Sequence, residues 1–186
     1  MACALVKIKL YESLGQIVVS FGALERGVDR LILAGINSTL SQELTSLNGM
    51  TFQQKIPLMN TLIRNLHSVQ ELGILNQTLQ ALTERCLMCE QERNSWVYSY
   101  WVPEIVETDS FVSRLRNDGD SAGLVLTTVE ISELENFVVV LNAAVAYLYG
   151  FHQKLSNKFG RVRTIRSIED FLKRYNSVAQ DSLLKS

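Results

Sequence analysis

Apolar residues spaced three and four apart recur in four stretches of the chain, and each stretch predicts an amphipathic helix. Leu14, Ile17, Val18, Phe21, Leu24, Val28, Leu31 and Ile32 trace one stripe over about residues 7–36, which stops at Gly35-Ile36-Asn37. A polar connection follows, with a short helical pattern at 40–47 and a turn at Asn48-Gly49. Thr51-Phe52-Gln53-Gln54 reads as a capping box, with Thr51 as N-cap and Gln54 three positions on. Ile56, Leu58, Met59, Leu62, Ile63 and Leu66 then give a second helix, and Pro57 marks a place for a kink. Leu75, Leu79, Leu82, Cys86, Cys89, Arg93, Val97 and Trp101 share a stripe that predicts a third helix from about 70 or 75 to 101, ended by Pro103.

The pattern changes after Pro103. Ser110–Arg116 and Leu124–Val129 are short runs rich in β-branched residues on either side of the turn-forming stretch 117–123, which predicts a small β-hairpin or flap. Ser132-Glu133-Leu134-Glu135 is a second capping-box pattern. Phe137, Val138, Leu141, Ala144, Val145, Leu148 and Phe151 drive a fourth helix to about 157, and residues 164–178 fit a short basic helix. The expected fold is all-α: an antiparallel bundle of four to five helices, with a small β-hairpin or flap inserted before the last long helix. Residues 1–157 would form the bundle, and 158–186 a basic C-terminal segment that is a short helix or a tail.

Composition supports one domain with a real core, since 186 residues carry 47% apolar side chains. The net charge of -1 gives no overall attraction for polyanions, but its distribution is uneven. Residues 154–174 hold seven basic and two acidic side chains, whereas 84–135 hold four basic and eleven acidic ones. The basic segment reads as a solvated helix face with a tail, or as a contact with RNA or an acidic partner through Lys158, Arg161, Arg163 and Arg166. The longest apolar-rich run, Phe137–Phe151, is interrupted by Asn142, so no membrane span is expected. The N-terminus has no cleavable-leader pattern, and a cytoplasmic location is expected. Three cysteines suit a reducing compartment. Cys86 and Cys89 stand three apart on a helix, and His67 and His152 are not spaced to complete a zinc site, so core packing is the expected role. No metal or cofactor is expected.

The stretch 90–101 carries the chemistry. Arg93 occupies a position where the stripe calls for an apolar residue, Asn94 follows it, and Trp96, Tyr98, Tyr100 and Trp101 come within eight residues. An arginine drawn out of water needs a partner, because an unpaired buried charge is costly. A helical chain with Arg-Asn near the end of its third long helix resembles the HEPN superfamily, the nucleotide-binding domains of higher eukaryotes and prokaryotes. Many of its members are RNases of toxin–antitoxin, CRISPR and anti-phage systems. The family hallmark is an arginine, often followed by asparagine, with a histidine a few residues on; one toxin group has arginine, four residues, histidine, one residue, tyrosine. Arg93 and Asn94 match, Tyr100 falls at the tyrosine position, and Tyr98 stands where the histidine belongs. The resemblance covers about residues 5–157.

The resemblance implies a dimer in which two motifs meet, with arginine on the scissile phosphate and histidine moving the proton of the attacking 2′-hydroxyl, without metal. A planar guanidinium suits phosphate oxygens. An ordinary tyrosine is only about one-thousandth ionised at pH 7, so replacing histidine removes about a thousandfold of base strength. Three readings follow. The first is a catalytically degenerate HEPN-like protein of a prokaryotic defence or toxin–antitoxin type system. It would act through a homodimer, a protein partner such as a nucleotidyltransferase or other defence component, or RNA, with Trp96 and Trp101 supplying contact area. The second is a metal-independent RNase with a composite site of Arg93, Asn94, Tyr98 and Tyr100 at the dimer interface. The third is a plain helical bundle with a satisfied arginine. Glu25, set in the first stripe, is either an exposed acid pairing with its helical neighbours or a buried acid that orients Arg93.

Overall fold

The computed structural model describes residues 2–36, 47–65, 72–103, 110–117 and 124–159. These residues are mostly helical, with a small antiparallel sheet inserted before the last helix. In chain order they form α1 (Ala2–Gly35), α2 (Phe52–Asn65), α3 (Leu72–Val97), β1 (Tyr100–Val102), β2 (Phe111–Asn117), β3 (Leu124–Glu130) and α4 (Ile131–Phe159). The expected hairpin is β2 and β3, paired from Phe111 with Glu130 to Asn117 with Leu124. A third strand was not foreseen: β1 pairs with β2, Trp101 standing opposite Arg114.

By contact density the chain falls into two compact units. Residues 1–24 and 85–146 form one, and residues 25–84 and 147–186 the other. In the first unit, α1 buries Val6, Leu10, Ser13, Ile17, Phe21 and Leu24. The buried stripe starts earlier in α1 than the sequence pattern indicated, and Val18 is left 52% exposed. Cys86 and Cys89 of α3 are fully buried free thiols, in keeping with a packing role. Val112, Ser113 and Arg114 of the central strand are buried together, so the sheet is covered where β2 runs through it.

In the second unit, the capping box at the start of α2 forms as read. The Gln54 amide donates to Thr51 Oγ1 at 3.3 Å, and the Thr51 amide donates to Gln54 Oε1 at 2.8 Å. The helix runs on through Pro57, whose carbonyl accepts the Thr61 hydroxyl at 2.9 Å. Here α1 and α2 run in the same direction. Glu25 and Asp29 meet Lys55, and further along both helices Gly35 meets Leu62. The long stretch between α1 and α2 leaves room for such a pairing, which a strictly alternating bundle lacks.

Two other sequence expectations shift. The cap of α4 forms two residues earlier than the Ser132 pattern, with the Glu130 amide donating to Glu133 Oε1 at 3.1 Å. By length and composition, the Ile131–Leu155 stretch of α4 could cross a bilayer, contrary to the expectation that no segment could. Its buried residues nonetheless recur at helical spacing (Leu134, Phe137, Val138, Leu141, Ala144, Leu148, Phe151 and Leu155), as in the core-facing helix of a packed protein. Lys158 lies in the last turn of this helix with its side chain undescribed; Arg161, Arg163 and Arg166, with the expected short helix at 164–178, lie outside the described residues, as does the pattern at 40–46.

Candidate functional site

The end of α3 was expected near 101; it comes at Val97. The last helical amide bond runs from Tyr98 N–H to the Asn94 carbonyl at 3.1 Å. The Ser99 hydroxyl then donates back to the Ser95 carbonyl at 2.5 Å. Tyr100, Trp101 and Val102 have aromatic and β-branched side chains that suit a strand, and they form β1. The aromatic run is therefore divided. Arg93, Asn94 and Trp96 sit on the last turns of the helix, Tyr98 on the turn, and Tyr100 and Trp101 on the strand.

This division gives the aromatics different surroundings. Trp96 is buried, and its ring stacks on Trp101 with centroids 6.2 Å apart and planes 16° apart. The Trp101 indole donates to the Trp96 carbonyl at 3.0 Å. Arg114 of β2 covers the pair, with its guanidinium carbon 4.2 Å from the Trp96 centroid and 5.9 Å from that of Trp101. Arg114 also reaches the Ser95 carbonyl and hydroxyl at 3.4 Å, and Thr127 Oγ1 at 3.4 Å. These contacts fasten the sheet to the end of α3, with Trp96 buried and Trp101 half-buried among them. Arg114 was missed in the sequence. The strand register sets it between Trp101 and Thr127, a row that exists only once β1 is known.

Arg93 and the two tyrosines present the open side. The Arg93 guanidinium carbon lies 4.3 Å from the Phe21 ring centroid and 5.7 Å from that of Tyr98. Its Nη1 donates to the Tyr98 hydroxyl at 3.2 Å, while its Nε is buried without a hydrogen-bond partner. Tyr98 is 75% exposed and Tyr100 69% exposed. Asn94 is half-buried beside Arg93 and spends its backbone carbonyl on the Tyr98 amide. A guanidinium backed by one aromatic face, bonded to a phenol and keeping free donors can hold an anionic or carbonyl acceptor. Residues 1–24 and 85–146, the unit to which Arg93 belongs, contain no histidine. His152 belongs to the other unit, and His67 lies outside the described residues.

Glu25 has neither of the roles expected of it. Its carboxylate accepts from Lys55 Nζ at 2.9 Å, and Asp29 shares the same cation. The Lys55 side chain is 3% exposed. Burial acts to lower its pKa, but the hydrogen bonds to Glu25 and Asp29 act the other way, and the net shift is upward. The Asp29 carboxyl is raised because burial outweighs the help it receives from Lys55. Asp29 Oδ1 lies 3.0 Å from Nζ yet is left without a hydrogen bond; Oδ2, at 3.3 Å, takes the bond.

No family model, curated protein or solved structure matches the chain.

Proposed function

We propose that this chain is a HEPN-like protein that works by binding rather than by catalysis, as a homodimer that engages a protein partner or RNA in a prokaryotic defence or toxin–antitoxin type system. The observation that carries the reading is the state of Arg93. It is held against Phe21, bonded to Tyr98 at 3.2 Å, left with an unbonded Nε, and flanked by the exposed Tyr98 and Tyr100. Arginine and tyrosine set in this way are what the centre of a protein interface favours. Against catalysis stands the base: the tyrosine at the motif's histidine position accepts a hydrogen bond from a guanidinium, and its own unit contains no imidazole.

A second reading is favoured by the same 3.2 Å bond, which couples a phosphate-binding group to a hydroxyl. In that reading Arg93, Asn94, Tyr98 and Tyr100 form a composite, metal-independent RNase site across a dimer. One set of proteins separates the two. Wild type, Arg93→Ala and Tyr98→His are assayed on bulk tRNA and mRNA in EDTA, and their association is followed by sedimentation. The binding reading expects no cleavage by wild type and at least tenfold weaker association for Arg93→Ala, the loss typical of an interface anchor. New cleavage by Tyr98→His would mark a disarmed site. Cleavage by wild type that Arg93→Ala abolishes would make the protein an RNase. Unchanged association of Arg93→Ala, with no cleavage by any of the three, would overturn both readings.

A further inference from the structure

A second cationic site lies in the other unit. Arg26 and Arg30 stand four apart on one face of α1, both exposed, and neither has an ion pair among the described residues. Like charges at this spacing repel weakly, and nothing in the helix itself offsets them. The acids that could neutralise them are engaged elsewhere. Asp29, three residues from Arg26, is held with Glu25 by the buried Lys55. Lys55 thus draws the acids of this stretch inward and leaves the arginines bare.

The neighbouring helix adds to the site. Gly27 allows close approach, since a Cβ there would come within 3.3 Å of Leu148 on α4. One turn on, Arg30 lies over the Tyr149 ring, its guanidinium carbon 5.0 Å from the centroid. Arg30 makes no hydrogen bond among the described residues, so its donors are open to a ligand. His152 is half-buried one turn beyond Tyr149. Burial and then the charge of Arg30 lower its pKa, which favours the neutral imidazole.

We infer that Arg26 and Arg30, with Tyr149 beneath Arg30, form a contact for the phosphate backbone of a nucleic-acid strand. The site is independent of Arg93. A guanidinium held over an aromatic ring with donors to spare matches the paired oxygens of a phosphodiester, and a second arginine one helical turn away, ~6 Å along the helix axis, can meet a neighbouring phosphate of the same strand. An acidic peptide is the competing ligand, and polyglutamate stands for it in the test.

The test measures fluorescence anisotropy of the full chain with fluorescein-labelled oligo-uridine RNA, oligo-thymidine DNA and polyglutamate, at low and moderate salt. The Arg26→Gln/Arg30→Gln variant is expected to bind the RNA or the DNA about tenfold more weakly. Its slope of log affinity against log salt should be shallower by about 1.4, two contacts at ~0.7 each. Arg26→Lys/Arg30→Lys should keep the slope and lose part of the affinity, because charge remains while the planar fork is gone. Tighter binding of RNA than of DNA would name RNA as the ligand, and the reverse DNA. The inference is overturned if wild type binds neither strand, if the Gln variant keeps wild-type affinity and slope with an unchanged circular dichroism spectrum, or if polyglutamate binds as tightly as the strands.

Discussion

Lys55 fills a place in the apolar stripe of α2, where Phe52, Ile56 and Met59 are buried around it. A buried ammonium needs counter-charges, and Glu25 and Asp29, four apart on α1, are the pair that supplies them. The sequence contained all three residues, but helical stripes are read from apolar positions, and a lysine there passes for a surface residue with a long stem. The signs of the shifts can be tested. Lys55 has a raised pKa, so its contribution to stability is present below the ordinary lysine value of 10.5 and is lost as pH climbs above it. Asp29 also has a raised pKa, so the folded protein holds that proton to higher pH than the unfolded chain does. Its ionisation therefore costs stability as pH rises from 3.8 through the raised value. Lys55→Met should cost about 2–4 kcal/mol at pH 8, where it strands a largely buried carboxylate. The cost should be smaller at pH 5, because Asp29 without its cation takes up a proton more readily. Melting temperatures of both proteins at the two pH values check this, and an equal loss at each would refute it. The thiols give a second residue-scale expectation. Burial pushes Cys86 up to about 12 and Cys89 up to about 11. In a Cys3→Ser background, then, a thiol reagent at pH 8 should label neither cysteine appreciably in the folded protein and both promptly in denaturant.

Elements were legible where the local chemistry decides them. Thr51 and Gln54 cap α2 as their spacing predicts, and the β-branched runs on either side of 117–123 pair as a hairpin. The end of α3 was not legible. No glycine or proline stands between Arg93 and Pro103, so helical periodicity carried the expectation on to Trp101. What stops the helix is tertiary: β1 pairs with β2, and Arg114 reaches the Ser95 carbonyl at the helix end. As a result, the surroundings of Arg93 differ from the sequence expectation, since Tyr100 follows it on a strand and not two turns along a helix. Glycines of α1 offer a test of close approach between elements. A Cβ on Gly35 would sit 2.9 Å from Leu62 Cβ, whereas one on Gly15 meets nothing within 4 Å. Gly15→Ala should therefore stabilise the protein by about 0.5–1 kcal/mol through helix propensity. Gly35→Ala should destabilise it by about 1–3 kcal/mol, since one helix must shift to admit the methyl group. Urea unfolding of the two variants measures both, and a stabilising Gly35→Ala would mean that the approach of α2 to α1 is looser than these distances require.

At the scale of the molecule, three of the four helices among the described residues run unbroken through the division between the two compact units. Helix α1 gives residues up to Leu24 to one unit and from Glu25 onward to the other; α3 divides between Glu84 and Arg85, and α4 between Ala146 and Tyr147. Such a division could not be read from the sequence, because each helix shows one uninterrupted stripe. It has a consequence for folding. A helix hydrogen-bonded through a boundary transmits unfolding across it, because fraying either half exposes backbone groups of the other. Three such helices should couple the units into one cooperative transition. Two probes can test this separately, since both tryptophans, Trp96 and Trp101, belong to the first unit, whereas the helical signal arises from both. Tryptophan fluorescence and circular dichroism at 222 nm, followed through the same urea titration, should give coincident midpoints. A fluorescence midpoint displaced from the helical one would mean that the units unfold separately. The Arg93 site and the Arg26–Arg30 face would then rest on structures of different stability, and a substitution that unfolds one could leave ligand binding at the other intact.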